Sequence, residues 1–183
     1  MTSLTHVTMA TTVGVAITIP EPFGGLLQAH RATFGDPMAG TIPPHVTLLP
    51  PTVVPVGTTV KDVGTHLAAV ASSATPFAIH LRGTASFRPV SPVVFVSLVE
   101  GIGECELLEQ QVRRGPLTRE LAFPYHPHVT VAHDLADGQL DEAFEALADF
   151  ECRFEMREFH LYEHGVDGVW RPEQTYQVGG SSR

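Results

Sequence analysis

The sequence predicts an α+β (α/β-like) fold of two pseudo-symmetric lobes, each a sheet with covering helices, around a central cleft. Three observations predict it. Runs of β-branched residues alternate with segments of helical period. The order strand, helix, strand, helix, strand occurs twice. The same segment, Pro-His-Val-Thr, falls on the third element of each round. Two rounds are too few for a solenoid, so they are expected to pack as paired lobes.

The first round opens with Val13 to Ile19, a β-branched run that stops at Pro20 and predicts a buried strand. A helix is expected next. Pro22 suits its first turn, Phe23, Leu26, Leu27 and Phe34 recur near helical spacing, and Gly35, Asp36 and Pro37 end it. Pro43 and Pro44 then introduce a short strand, His45 to Leu49, which Pro50 and Pro51 are expected to close. Thr59 with Asp62 three residues on has the form of a capping box, and Val60, Val63, Leu67 and Val70 mark one face of the helix that follows. After Pro76, alternation of Phe77, Ile79 and Leu81 with Ala78, His80 and Arg82 predicts a strand with one covered face.

The second round repeats the order. Val93 to Val99 predicts a buried strand, and Ile102 to Val112 a helix carrying Leu107, Leu108 and Val112. His128 to Ala132 is the second proline-led strand, and Leu140, Ala143, Phe144 and Leu147 mark a helix. Phe154 to Tyr162 is expected to be one strand. Its apolar positions change phase between Met156 and Phe159, which predicts a β-bulge near Arg157. Gly165 to Gly168 supplies a turn into a last strand, Trp170 to Val178. The expected organisation is therefore one two-lobed domain over 13–178, a mobile N-terminus over 1–12 and a disordered tail over 179–183.

Composition narrows the function. At 183 residues the chain suits one domain that buries about 70% of its unfolded surface. A formal charge of -9 argues against duplex DNA as a partner, because that binding relies on many Lys and Arg neutralising phosphates. Two cysteines, Cys105 and Cys152, make no framework, so a reduced cytoplasmic setting is expected. The first basic residue is Arg31 and prolines interrupt every long apolar stretch, so neither export nor membrane spanning is expected. A monomer without cofactor is the simplest expectation.

The segments Pro44-His45-Val46-Thr47-Leu48 and Pro127-His128-Val129-Thr130-Val131 are identical over four residues. On a strand, positions i and i+2 share a face, so each histidine lies beside its threonine while the intervening valine points into the core. Two such strands across a cleft offer two imidazoles and two hydroxyls, a set suited to a phosphodiester. The hydroxyls of Thr47 and Thr130 would hold phosphate oxygens, one imidazole of His45 and His128 would take a proton, and the other would give one. An unperturbed histidine pKa of about 6.5 allows both forms near neutrality.

These paired motifs resemble those of the 2H phosphoesterase superfamily, which includes 2'-5' RNA ligase-like proteins and cyclic nucleotide phosphodiesterases. By element order the resemblance spans Val13 to Val178. It implies metal-independent chemistry on 2',3'-cyclic phosphate or 2',5'-linked substrates, with a small nucleotide or short RNA end as partner. It also implies that His45 and His128 are the catalytic histidines and Thr47 and Thr130 the phosphate-binding residues. One departure stands out. Many members place a basic residue, often Arg, just after the second motif, where this chain has Ala132-His133-Asp134.

Other residues compete for roles. His133 is a candidate for the missing arginine's place, and Arg82 and Arg88, near strand ends, are candidate contacts to a phosphate or nucleotide tail. Phe87 and Tyr125 are candidates to stack on a base. A third copy, His6-Val7-Thr8, precedes the first strand and is taken as a chance match. His30, His66, His80 and His160 are taken as structural or surface residues. Two other functions stay open: a phosphate-binding module without turnover, and a metal-dependent hydrolase built on His126, His128 and His133, although no complete metal-ligand spacing accompanies them.

Overall fold

The computed structural model describes residues 11–179. Strand β1 (Thr12–Thr18), helix α1 (Phe23–Thr33), strand β2 (His45–Val53), helix α2 (Val60–Ser73) and strand β3 (Phe77–Ser86) form the first round. Strand β4 (Val93–Glu100), helix α3 (Ile102–Val112), strand β5 (His128–His133), helix α4 (Asp137–Ala146) and strand β6 (Glu151–Met156) form the second. Strands β7 (Glu158–His164) and β8 (Trp170–Gln177) complete the chain. In both rounds a short 3-10 turn, at Pro37–Gly40 and at Gly115–Leu117, lies between helix and motif strand. None of these helices is long and apolar enough to cross a membrane.

The expectation that each lobe has its own sheet is corrected. All eight strands form one antiparallel sheet in the order β6-β3-β4-β5-β2-β1-β7-β8. The middle of this order lies between β5 and β2, where the ladder consists of a single pair, Val46 with Val129. The spatial halves are also not the sequence halves. The short turn after Phe87 folds β3 back onto β4, and β7 returns to lie on β1. The first round therefore lends β3 to the side of β4 and β5, and β7, which follows the second round, lies on the side of β1 and β2. Sequence-adjacent strands joined by a short turn pair most readily, and that preference recruits β3 away from its own round.

The phase change near Arg157 marks a change of partner, not a bulge within one ladder. Residues through Met156 pair with β3, and residues from Glu158 pair with β1 and β8. Arg157 alone joins them, so Met156 and Glu158 lie within about 7 Å although their strands stand near opposite ends of the sheet order. The sheet must curl to allow this. Val178 closes the seam by donating its backbone N–H to the Arg157 carbonyl at 2.8 Å, and Gly179 likewise donates to Ala71 at 3.1 Å. Gly179 is thus tied down, against the expectation that it begins a disordered tail. The rest of that tail, and His6-Val7-Thr8, lie outside the described residues.

Pro50 and Pro51 do not close β2, which runs on to Val53. Lacking N–H groups, they are tolerated because the ladder to β5 has already ended at Val46, while Thr52 and Val53 still pair with Val13 and Thr12 of β1. The capping box forms as expected, with the Thr59 hydroxyl accepting from the Asp62 N–H at 3.1 Å and the Asp62 carboxylate accepting from the Thr59 N–H at 2.8 Å. The motif valines, Val46 and Val129, are wholly buried in one apolar core with Leu27, Leu67, Leu108 and Leu140. Cys105 and Cys152 are buried free thiols in the same core.

Candidate active site

Both motif strands carry the same irregularity. On β2 the register to β1 slips by one between Leu49 and Thr47, and on β5 the register to β4 slips by one between Ala132 and Thr130. Leu48 and Val131, each three residues after its histidine, are the extra residues. As a result two consecutive residues face the core on each strand, and the next, Pro50 on one and His133 on the other, turns back towards the histidine face. Thus a bulge expected at Arg157 is found instead, in duplicate, directly beyond each His-Val-Thr.

Carrying the Val46–Val129 register one residue either way sets His45 opposite Thr130 and Thr47 opposite His128. All four line one cavity of about 300 Å³. The two rings are held alike. His45 Nδ1 lies 2.8 Å from the Pro43 carbonyl oxygen and His128 Nδ1 lies 2.7 Å from that of His126. A carbonyl only accepts, so Nδ1 carries the proton in each neutral ring and Nε2 is left with its lone pair for other work. Each proline-led motif positions its own histidine through the carbonyl two residues upstream.

Electrostatics bias both rings towards the neutral form. Burial lowers His45 to about 4, aided by the Arg31 guanidinium and by His128 and opposed by the Pro43 carbonyl. Burial also lowers His128, with His126 adding to the effect and the His126 carbonyl opposing it. The expectation of one neutral and one charged ring near neutrality rested on an unperturbed value; the cavity's own residues favour two neutral rings. A bound anion would shift both upward.

Phe87 does not line the cavity. It packs edge-on to the His128 ring at 4.9 Å and against Phe95 at 4.4 Å, which fixes the ring from behind. Tyr125 is also absent from the lining, because its hydroxyl donates to the Thr47 carbonyl at 2.8 Å and its ring packs on the core. Arg88 is drawn to Asp141 on α4 at 2.8 Å, and Arg82 borders a separate hollow with Asp149 and Glu151. His133 does line the cavity, with its ring 3.3 Å from the Asp134 carboxylate. Among the described residues no three His, Cys, Asp or Glu side chains are grouped to hold a metal ion.

Several cavity residues have no counterpart in the sequence reading. Arg31, from α1, is 4% exposed and reaches the cavity wall. Its signal was present as an ion pair at five-residue spacing with Asp36, but nothing local aims it at a strand. Met38 and Ile42, from the segment leading into β2, add apolar wall, and Tyr162 of β7 donates to or accepts from Thr18 at 2.7 Å beside it. Trp170, the single tryptophan, crosses Gly14 so closely that a Cβ there would sit 3.2 Å from its ring. Absence of a side chain at Gly14 gives that indole its place.

The chain matches the model of the 2'-5' RNA ligase superfamily over residues 19–168. A Bacillus cytotoxicus protein named as a candidate phosphoesterase is 30% identical over 150 residues, which cover 81% of this chain and 86% of the relative. The crystal structure of E. coli LigT complexed with 3'-AMP shares the fold with a TM-score of 0.61 at 21% identity, covering 93% of this chain and 99% of that one. LigT complexed with NADP+ gives 0.60 at 18% identity with the same coverage. With the family model matched over most of its length and the paired His-x-Thr strands meeting in one cavity, the chain belongs to the 2'-5' RNA ligase superfamily.

Proposed function

We propose that this protein is a phosphodiesterase that acts on 2',3'-cyclic phosphate or 2',5'-linked nucleotide or RNA-end substrates, without a metal, by paired-histidine acid and base catalysis. The observation that carries the reading is the duplicated geometry: each histidine stands opposite the other motif's threonine, and each Nδ1 is tied to a carbonyl. Family membership, the phosphoesterase name of the Bacillus relative and the binding of 3'-AMP and NADP+ by LigT support it.

In the proposed step His45 Nε2 removes a proton from water as the water oxygen bonds to phosphorus. The bond from phosphorus to the leaving ribose oxygen breaks, and His128 Nε2 supplies that oxygen with a proton. Thr47 and Thr130 donate hydrogen bonds to the non-bridging oxygens as charge gathers there. A cyclic phosphate becomes a phosphomonoester. His45 suits the base because Arg31 beside it disfavours a charged ring. His128 is charged through the substrate, whose negative phosphate raises its pKa on binding.

Purified protein with adenosine 2',3'-cyclic monophosphate and with a 2',5'-linked dinucleotide, in excess EDTA, tests this directly. Phosphomonoester product from the first, or cleavage of the second, is expected. Loss of turnover in EDTA with recovery on added divalent cation would overturn the metal-free mechanism, and no turnover of either compound with or without metal would overturn the enzyme.

A further inference from the structure

We infer that Arg31, anchored by Asp36, binds the substrate phosphate and supplies the permanent positive charge of the cavity. The inference rests on the phosphodiesterase reading above and adds a residue to it. Arg31 Nε donates to Asp36 Oδ2 at 2.8 Å, and Asp36 Oδ1 accepts from the Met38 N–H at 2.8 Å. The carboxylate is thereby fully engaged and the guanidinium is held by one edge only. Among the described residues its two terminal nitrogens have no hydrogen-bond partner, yet they are not sealed from the cavity that Arg31 lines. A planar fork with one edge left unpaired, on a residue that borders the cavity, matches the two oxygens of a phosphodiester monoanion.

The rest of the lining makes the need for this cation plain. Among the described residues no Asp, Glu, Lys or other Arg borders the cavity, whose remaining titratable groups are His45, His128, His133 and Tyr162. Burial favours the neutral form of both motif histidines, so they offer the incoming anion little charge. His133 also borders the cavity, but it is paired with Asp134 at 3.3 Å and its side chain is 42% exposed. The chain as a whole carries -9. Among the described residues Arg31, from helix α1, is therefore the one permanently charged cation in the lining.

The test uses the full-length protein, adenosine 2',3'-cyclic monophosphate as substrate and inorganic phosphate as ligand. Removing Arg31 alone would strand a buried carboxylate, so the informative variants are R31K and the double variant R31Q/D36N. In R31Q/D36N the phosphate Kd and the substrate KM are expected to rise by about 10-fold or more, the range of a lost charge-assisted hydrogen bond. The acidic limb of its kcat/KM profile should move to higher pH, because His45 loses a cationic neighbour while His128, His133 and Tyr162 stay. R31K keeps the charge and loses the fork, so an intermediate Kd is expected.

A cooperatively melting R31Q/D36N with wild-type KM, phosphate Kd and acidic limb would overturn the role. If that variant does not fold, R31K with wild-type phosphate affinity would overturn the two-pronged contact. A wild-type protein that binds phosphate but hydrolyses nothing would overturn the enzymatic reading instead, and the Kd values would still decide on Arg31.

Discussion

The Tyr125 hydroxyl donates a hydrogen bond to the Thr47 carbonyl oxygen at 2.8 Å, tying the segment that leads into the second motif to the backbone of the first. The ladder between the two motif strands is a single pair, so this side chain is a second fastening between them. Tyr125→Phe removes the donor and leaves a part-buried carbonyl short of that partner. A loss of about 1 kcal/mol is expected in denaturant unfolding. A fall in kcat is expected as well, since the bond holds the strand that presents Thr47. Unchanged stability and turnover would show that the Val46–Val129 pair suffices.

Replacing either His45 or His128 by Ala is expected to lower kcat/KM for adenosine 2',3'-cyclic monophosphate by about 10²- to 10⁴-fold, the usual contribution of a positioned acid or base. The thermal transition should move little, because both rings border a cavity and their side-chain bonds are to carbonyls of their own segments. Steady-state kinetics with a matched melting curve separates the two effects. Full activity in either variant would remove that histidine from the mechanism.

The pH profile should be displaced to acid. The kcat/KM of the free enzyme reports its own base and acid. His45 is lowered to about 4 and His128 is also lowered, so the kcat/KM optimum is expected below the ordinary histidine value of about 6.5. The kcat profile should lie at higher pH, since bound phosphate raises both groups. An optimum for kcat/KM above 7 would contradict the burial of these rings.

Folding stability should show the same sign. A histidine lowered by folding binds more protons in the unfolded chain between its two pKa values, so stability rises with pH across that window. The contribution of His45 is thus fully present above about 6.5 and is lost as pH falls through about 4. Denaturant midpoints of the wild type against His45→Ala measure it: the wild type should lose more stability than the variant over this range.

Trp170 gives a direct optical readout. It is the one tryptophan and it lines the cavity across Gly14. Binding of 3'-AMP is expected to change its emission. In Gly14→Ala the new methyl meets the indole at 3.2 Å and a backbone oxygen of Leu49 at 3.4 Å, so the ring must shift. The variant should show an altered emission maximum and a several-fold higher nucleotide Kd. Identical spectra and affinity would place the indole outside the ligand's reach.

Most elements were legible because they are local. The capping box at Thr59 and Asp62, the β-branched runs of β1 and β4 and the bounds of α3 follow from residues within one turn or one strand of each other. The His-Val-Thr pairs were legible for the same reason, since alternation decides that His45 and Thr47 share a face and that Val46 is buried. The change of phase at Arg157 was visible too, but its meaning was not. A phase change reports only that one face replaces another, and both a bulge and a change of sheet partner produce it.

By itself, the sequence determined the paired motifs, the order of elements around them and the faces they bury, because helical and strand periods are properties of adjacent residues. Only the tertiary structure decided that β3 and β7 trade sides, that one curled sheet carries both motif strands, and that Leu48 and Val131 bulge alike. Partner choice depends on contacts between residues far apart in the chain, on which periodicity is silent. The same holds for Arg31. Its bond to Asp36 is local, but it becomes a cavity residue only because the packing of α1 carries that pair to the wall beside His45.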